Sequence, residues 1–249
     1  MKTIDLNCDL GEGTGPDAAL MPLITSANIA CGAHAGDDAT MRATVELARR
    51  HGVAVGAHPG FADREHCGRR ERDLEPRAAA ELVLQQVAHL HAIARAAGAA
   101  VRHVKLHGAL YNQVARDRAL AEAVVDALGA AVSPPILFAP AGSVLESVAR
   151  ARGGMVVVPE VFADRTYQAD GSLTPRGRPD ALIVDEAAAV TQVVRMVREG
   201  RVRATDGTDV AISAGTVCLH GDGANPVAFA RRLRAALRGE GIELQAPGA

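Results

Sequence analysis

The sequence predicts an α/β chain folded as a distorted parallel (β/α) barrel of about seven strands. Two observations carry this. Short apolar strands alternate with helices along the 249 residues, each strand leading through a polar loop into the next helix. That is the pattern of a parallel sheet covered by helices. Ionisable residues also fall at or just beyond the C-terminal ends of six strands: Asp9, His34, His58, Lys105 with His107, Glu160 and His220. A closed barrel gathers all its strand ends into one pocket, whereas an open sheet gathers only those at a switch point. No repeat, linker or low-complexity stretch divides the chain, so residues 1–249 read as one domain.

The elements follow in order. Ile4 to Asp9 alternates, with Ile4, Leu6 and Cys8 on one face and Asp5, Asn7 and Asp9 on the other. It ends in a glycine turn that also carries Glu12. A short helix runs from Pro16 or Asp17 to Leu23, and the second strand covers Ser26 to Ala30. Asp37 or Asp38 caps a helix to Arg50, closed by His51-Gly52. Val53 to Ala57 is the third strand. A charged loop from Phe61 to Leu74 precedes a long helix opened by Pro76 and ending near Gly98.

The fourth strand, His103 to His107, places Val104 and Leu106 on one face and His103, Lys105 and His107 on the other. Gly108 to Asn112 then lead to a helix over Asp117 to Leu128. Ile136 to Ala139 and Met155 to Val158 are strands five and six, with a helix between them ending at Gly153-Gly154. Val161 to Val184 is a long irregular stretch, and loops of this length in compact domains are usually functional lids. Asp185 caps a helix to Glu199. Val202 to Ile212 reads as a hairpin turning at Asp206-Gly207. Val217 to His220 is the last strand, and Asn225-Pro226 opens the final helix to Gly239.

Composition excludes several functions. Net charge is -2 and aromatics are 2 % of the chain, so neither a basic nucleic-acid surface nor a base-stacking platform is present. No apolar run approaches a membrane span, and strand-like sequence from Ile4 leaves no room for a signal peptide. Cys8, Cys31, Cys67 and Cys218 lack C-x-x-C spacing and read as free thiols of a cytoplasmic protein. Of 27 basic residues only Lys2 and Lys105 are lysine. In a chain that otherwise uses arginine, a lysine at a strand end points to a need for a compact amine.

The P-loop pattern, a G-x-G-x-x-G after the first strand and a G-x-S-x-G elbow are all missing. What remains is carboxylates, imidazoles and one amine. Such a set supports metal-free acid–base catalysis: Asp9 or a histidine activates water, Lys105 stabilises negative charge and another histidine protonates a leaving group. It equally supports a divalent metal held by Asp9, His34 and His58. His51 reads as a helix cap, His89 and His91 as helix-face residues and His66 as part of the charged loop. His103 reads as a buried hydrogen-bonding residue at the far end of its strand.

Seven blocks carry a resemblance. They are Asp5-Leu-Asn-Cys-Asp-Leu-Gly-Glu12, Ser26-Ala-Asn-Ile-Ala-Cys-Gly-Ala-His-Ala-Gly-Asp37, Gly56-Ala-His-Pro59, Gly68-Arg-Arg70, Val104-Lys-Leu-His-Gly-Ala-Leu-Tyr-Asn112, Glu160-Val-Phe-Ala-Asp-Arg-Thr-Tyr167 and Leu219-His-Gly-Asp222. From the first strand to the last, the chain resembles the LamB/YcsF family. The pattern departs from the family's at Ala33, Gly60-Phe61 and Leu106, positions that shape the pocket more than its ionisable set.

The resemblance implies a glycoside hydrolase/deacetylase-like barrel and a subunit of an ATP-dependent 5-oxoprolinase. In that scheme B- and C-type partner subunits use ATP to phosphorylate the lactam, and this chain opens the ring to L-glutamate. The small molecule is the ligand, and self-association stays open. On this view Asp9 is the general base with Glu12 supporting it, and Lys105 and His107 stabilise the oxyanion or phosphate. His34 or His58 assists the leaving nitrogen. Asn7, Asn28, Tyr111, Asn112, Glu160, Arg165, His220 and Asp222 contact substrate. Two rivals stand beside it: a metal-dependent deacetylase of small N-acyl or carbohydrate substrates, and a non-catalytic ligand-binding or regulatory subunit.

Overall fold

The computed structural model describes residues 2–13, 15–221 and 225–248. Seven parallel strands among them close into a barrel: β1 (Lys2–Leu10), β2 (Ser26–Ala30), β3 (Ala54–His58), β4 (Val101–Lys105), β5 (Ile136–Pro140), β6 (Val157–Phe162) and β9 (Thr216–Leu219). β9 pairs with β6 on one side and with Asp5 to Cys8 of β1 on the other, which completes the ring. Two further strands, β7 (Arg201–Arg203) and β8 (Asp209–Ala211), form the expected antiparallel hairpin. β10 (Ile242–Leu244) pairs with Lys2 to Ile4, below β9 along the same edge of β1. Sequence reading had no strand there; three residues are too few to show a period.

The helices are α1 (Asp17–Leu20), α2 (Asp38–His51), α3 (Pro76–Ala96), α4 (Gly108–Arg116), α5 (Arg118–Gly129), α6 (Val144–Arg152), α7 (Glu186–Glu199) and α8 (Pro226–Gly239). Their ends follow local chemistry. Asp37 accepts from Thr40 N at 2.8 Å at the start of α2, and Gly52 closes it at φ +67°. Ser143 and Asp185 cap α6 and α7 in the same way. α4 is a correction: its sequence was expected only to connect. Ala109, Leu110, Tyr111 and Val114 form its buried face, and the leading glycine hid that pattern. Asp117 adopts an extended conformation, ends α4 and caps α5 through Leu120 N at 3.1 Å. β4 ends at Lys105, so His107 lies past the strand as the N-cap of α4.

Strands buried on both faces need apolar groups outward toward the helices and a packed interior. In β1, Ile4, Leu6, Cys8 and Leu10 are buried on the helix side. The interior is polar: Asp5, Asn7, Ser26, Asn28, His103, Lys105, Glu160 and Thr216 are all buried. Buried polar groups are tolerated only when hydrogen-bonded. At the barrel floor, Asp5 accepts from Thr25 Oγ1 (2.5 Å), Ser26 Oγ (2.7 Å) and Thr216 Oγ1 (2.5 Å). Burial nevertheless pushes its carboxyl up from 3.8 to about 6, against those three bonds.

A raised carboxyl pKa weakens the fold as pH rises. Between pH 3.8 and 6 the unfolded chain releases the proton while the folded chain keeps it. Above that window the cost is complete, at about 3 kcal/mol. Asp5→Asn removes the term. Its unfolding free energy, relative to wild type, moves in the variant's favour by about 3 kcal/mol from acid to neutral pH. Urea titrations at the two ends of that range check this, and a constant difference refutes it.

Candidate active site

The C-terminal strand ends open into a cavity of about 1070 Å³ bordered by Asp9, Glu12, His58, Lys105, Tyr111 and Glu160, among others. The residue 163–184 segment lies across it, contributing Arg165, Tyr167, Thr174 and Arg176. Expected as irregular, this segment is held by paired residues: Arg165 bridges Leu182, and Tyr167 bridges both Leu173 and Ala204. Tyr167 Oη also accepts from Phe162 N at 2.8 Å.

Two adjacent clusters share the pocket. The first is centred on Lys105, whose Nζ lies 2.9 Å from Asp9 Oδ1, 3.0 Å from Glu160 Oε1 and 3.0 Å from Cys218 Sγ. Around it, Asn7 Nδ2 donates to Glu160 Oε1 (2.9 Å) and Thr216 Oγ1 (2.7 Å). Asn28 Nδ2 donates to Asn7 Oδ1 (2.7 Å) and Asp9 Oδ1 (2.8 Å). Tyr111 Oη donates to Glu160 Oε2 at 2.5 Å. Burial alone would lower the Lys105 pKa. Asp9 and Glu160 outweigh it and hold the ammonium well above the usual lysine range. Burial would likewise raise Asp9, but His58 and Lys105 keep it well below the usual carboxylate range. The pocket thus contains a fixed cation between two carboxylates.

The second cluster is His34, His58, His107 and Glu12. His58 Nδ1 faces Lys105 O at 2.8 Å, and His107 Nε2 faces Cys67 O at 2.8 Å. A carbonyl only accepts, so each of these nitrogens carries hydrogen. The other nitrogens, His58 Nε2 and His107 Nδ1, face one another at 2.9 Å. His34 stacks on His107 with ring centroids 3.8 Å apart. Burial first, then neighbouring His58, lowers both His34 and His107 to about 3, so both are neutral near pH 7. Asp9 Oδ2, 3.3 Å from His58 Nε2, joins the two clusters.

Of the remaining expected residues, Asn112 is exposed on α4 at the cavity rim. Arg165 is buried and spends its guanidinium on Thr174 O (2.6 Å) and Ala181 O (3.3 Å), tying the covering segment together. His220 Nδ1 pairs with Asp164 at 2.8 Å, and its Nε2 meets Arg176 at 3.0 Å. Asp222 lies outside the described residues. His103 stacks on Phe138, and its Nε2 donates to Asn28 Oδ1 at 2.8 Å inside the barrel.

Sequence reading missed Cys218, Thr216 and Phe162. Alternation along β9 carried the signal, because Thr216, Cys218 and His220 share a face. Burial keeps the Cys218 thiol pKa well above its ordinary value. Among the described residues, no helix is long and apolar enough to cross a membrane.

Known proteins share this arrangement. The chain is 53 % identical over 251 residues to a protein of Geobacillus kaustophilus named as the A-type subunit of 5-oxoprolinase, covering 99 % of this chain and 98 % of that one. The lactam utilization protein of Thermus thermophilus superposes with a TM-score of 0.92 at 43 % identity, over 99 % and 100 % of the two chains. A family 4 carbohydrate esterase of Streptomyces lividans shares the fold alone, with a TM-score of 0.52 at 12 % identity over 98 % and 91 %. The sequence profile of the LamB/YcsF family matches residues 4–249. A barrel mouth built from the conjunction of these strand-end residues, matched over nearly its whole length, places the chain in the LamB/YcsF family.

Proposed function

We propose that this chain is the ring-opening component of an ATP-dependent 5-oxoprolinase, working in the cytoplasm with B- and C-type partner subunits. The observation that carries the reading is the Lys105 ammonium held between Asp9 and Glu160 at the barrel mouth, in a chain 53 % identical to a relative so named. A five-membered lactam is a stable amide, so its hydrolysis needs activation. Phosphorylation of the lactam oxygen by ATP on the partners makes the carbonyl carbon electrophilic and adds negative charge.

A buried ammonium suits such a ligand, because charge developing on oxygen in a dry site is stabilised far more than in water. Asp9 is ionised at neutral pH and can take a proton from the attacking water. As the ring C–N bond breaks, the same proton passes to the departing nitrogen. His34, neutral and strongly resistant to protonation, is a poorer donor for that step. Asn7, Asn28 and Tyr111 hold the two carboxylates in place rather than reacting.

The test is reconstitution. The chain combined with its partner subunits converts 5-oxoproline to glutamate with ATP hydrolysis, and omitting the chain stops glutamate formation. Undiminished conversion without it, or deacetylation of small N-acetyl sugars by the chain alone, overturns the reading.

A further inference from the structure

We infer that Glu12, His34, His58 and His107 form a site for one divalent transition-metal cation, beside the Lys105 cluster. One ligand atom from each of the four lies within 4.8 Å of those of the others. The carboxylate ligand is Glu12; Asp9, the carboxylate expected from sequence, is engaged by Lys105 Nζ and Asn28 Nδ2.

Three observations carry the inference. First, hydrogen bonds to Lys105 O and Cys67 O fix the hydrogens of His58 and His107 on their outer nitrogens. Two lone pairs 2.9 Å apart repel, so something positive belongs at the inner pair. Backbone carbonyls accepting from the outer nitrogen are also how metal-binding imidazoles are commonly oriented. Second, His34 is 1 % exposed, yet neither of its ring nitrogens has a hydrogen-bond partner, and Glu12 Oε1 is buried and also unbonded. Glu12 Oε1 lies 3.4 Å from His34 Nε2 and 3.5 Å from His107 Nδ1, longer than hydrogen bonds but close to where a shared ion would draw them. Unsatisfied buried polar groups are costly and call for a missing partner.

Third, the backbone makes room for these rings. A Cβ at Gly60 would stand 2.8 Å from His34 Nδ1, and one at Gly68 would stand 2.9 Å from His34 Cβ. Gly68 also has φ +62°. Three imidazoles and a carboxylate suit zinc or its first-row neighbours rather than magnesium or calcium, which prefer all-oxygen sites. An imidazole donates in its ring plane, so binding turns His34 out of its stack on His107.

The inference does not depend on the substrate, and its test reads metal rather than turnover. Metal-stripped protein is titrated with Zn²⁺ by calorimetry and with Co²⁺ by visible absorption, against a competing chelator. Wild type and His89→Ala, a surface control, take up one ion per chain, and Co²⁺ develops the absorption of imidazole coordination. His34→Ala and Glu12→Gln bind roughly 100-fold more weakly or not at all, a loss on the scale of removing coordination support. Circular dichroism confirms the fold of each, and Glu12→Gln carries the comparison if His34→Ala does not fold. Failure of wild type to take up a stoichiometric ion overturns the site and leaves a shared proton at the His58–His107 pair. Unchanged affinity in the folded variants overturns it as well.

Discussion

Lys105→Met, assembled with its partner subunits, loses at least about 100- to 1000-fold in 5-oxoproline turnover, the scale of removing one electrostatic stabiliser of a developing oxyanion. Methionine keeps the stem and removes the charge. It also leaves Asp9 and Glu160 buried without their cation. Breaking a buried pair from one side costs about 3–5 kcal/mol, so lower stability is expected alongside lost activity. Adding Glu160→Gln separates the two effects. The double variant regains most of the thermal stability, because the charge balance is restored, and remains inactive. Turnover within about tenfold of wild type in either variant sinks the role of Lys105, since that is a loss of only about 1.4 kcal/mol.

Gly56→Ala is the second large effect, and it is one of stability. Gly56 pairs with His103 across β3 and β4. A Cβ at that position would lie 2.0 Å from His103 Nε2 and 2.2 Å from its Cδ2, far inside contact distance. The ring has nowhere to go: it is 1 % exposed, stacked on Phe138 and bonded to Asn28. Overpacking of this kind costs about 3 kcal/mol or more. For a chain of this size that lowers the melting temperature by roughly 6–12 °C. Thermal unfolding followed by circular dichroism reads it directly. A melting point within about 2 °C of wild type would show that the ring can be displaced cheaply. Pairing Gly56→Ala with His103→Ala recovers part of the loss, because contacting residues couple.

Much of the fold was legible because its determinants are local. Asp37, Asp117, Ser143 and Asp185 cap the helices that follow them through their own side-chain oxygens. Gly52 and Gly200 end helices in the left-handed region. The hairpin at Asp206-Gly207 formed where turn chemistry placed it. The misses were short or masked elements. β10 has three residues, and α4 begins at a glycine of φ +55° that obscures its amphipathic face. The covering segment looked irregular because its order comes from pairings such as Tyr167 with Ala204, far apart along the chain.

By itself, the sequence determined the strand–helix rhythm, the caps and the set of ionisable groups at strand ends, since each depends on neighbours a few residues away. Only the tertiary structure decided how that set divides. Closure of β9 onto β1 brought Cys218 and Thr216 to Lys105 and Asn7, residues separated by 113 and 209 positions. It paired Asp9 with Lys105, leaving Glu12 as the carboxylate beside His34, His58 and His107. The reason is geometric. Alternation tells which side chains point into a barrel, but which of them meet depends on strand order, register and the path of each loop beyond the strand, and those are set by contacts across the whole chain.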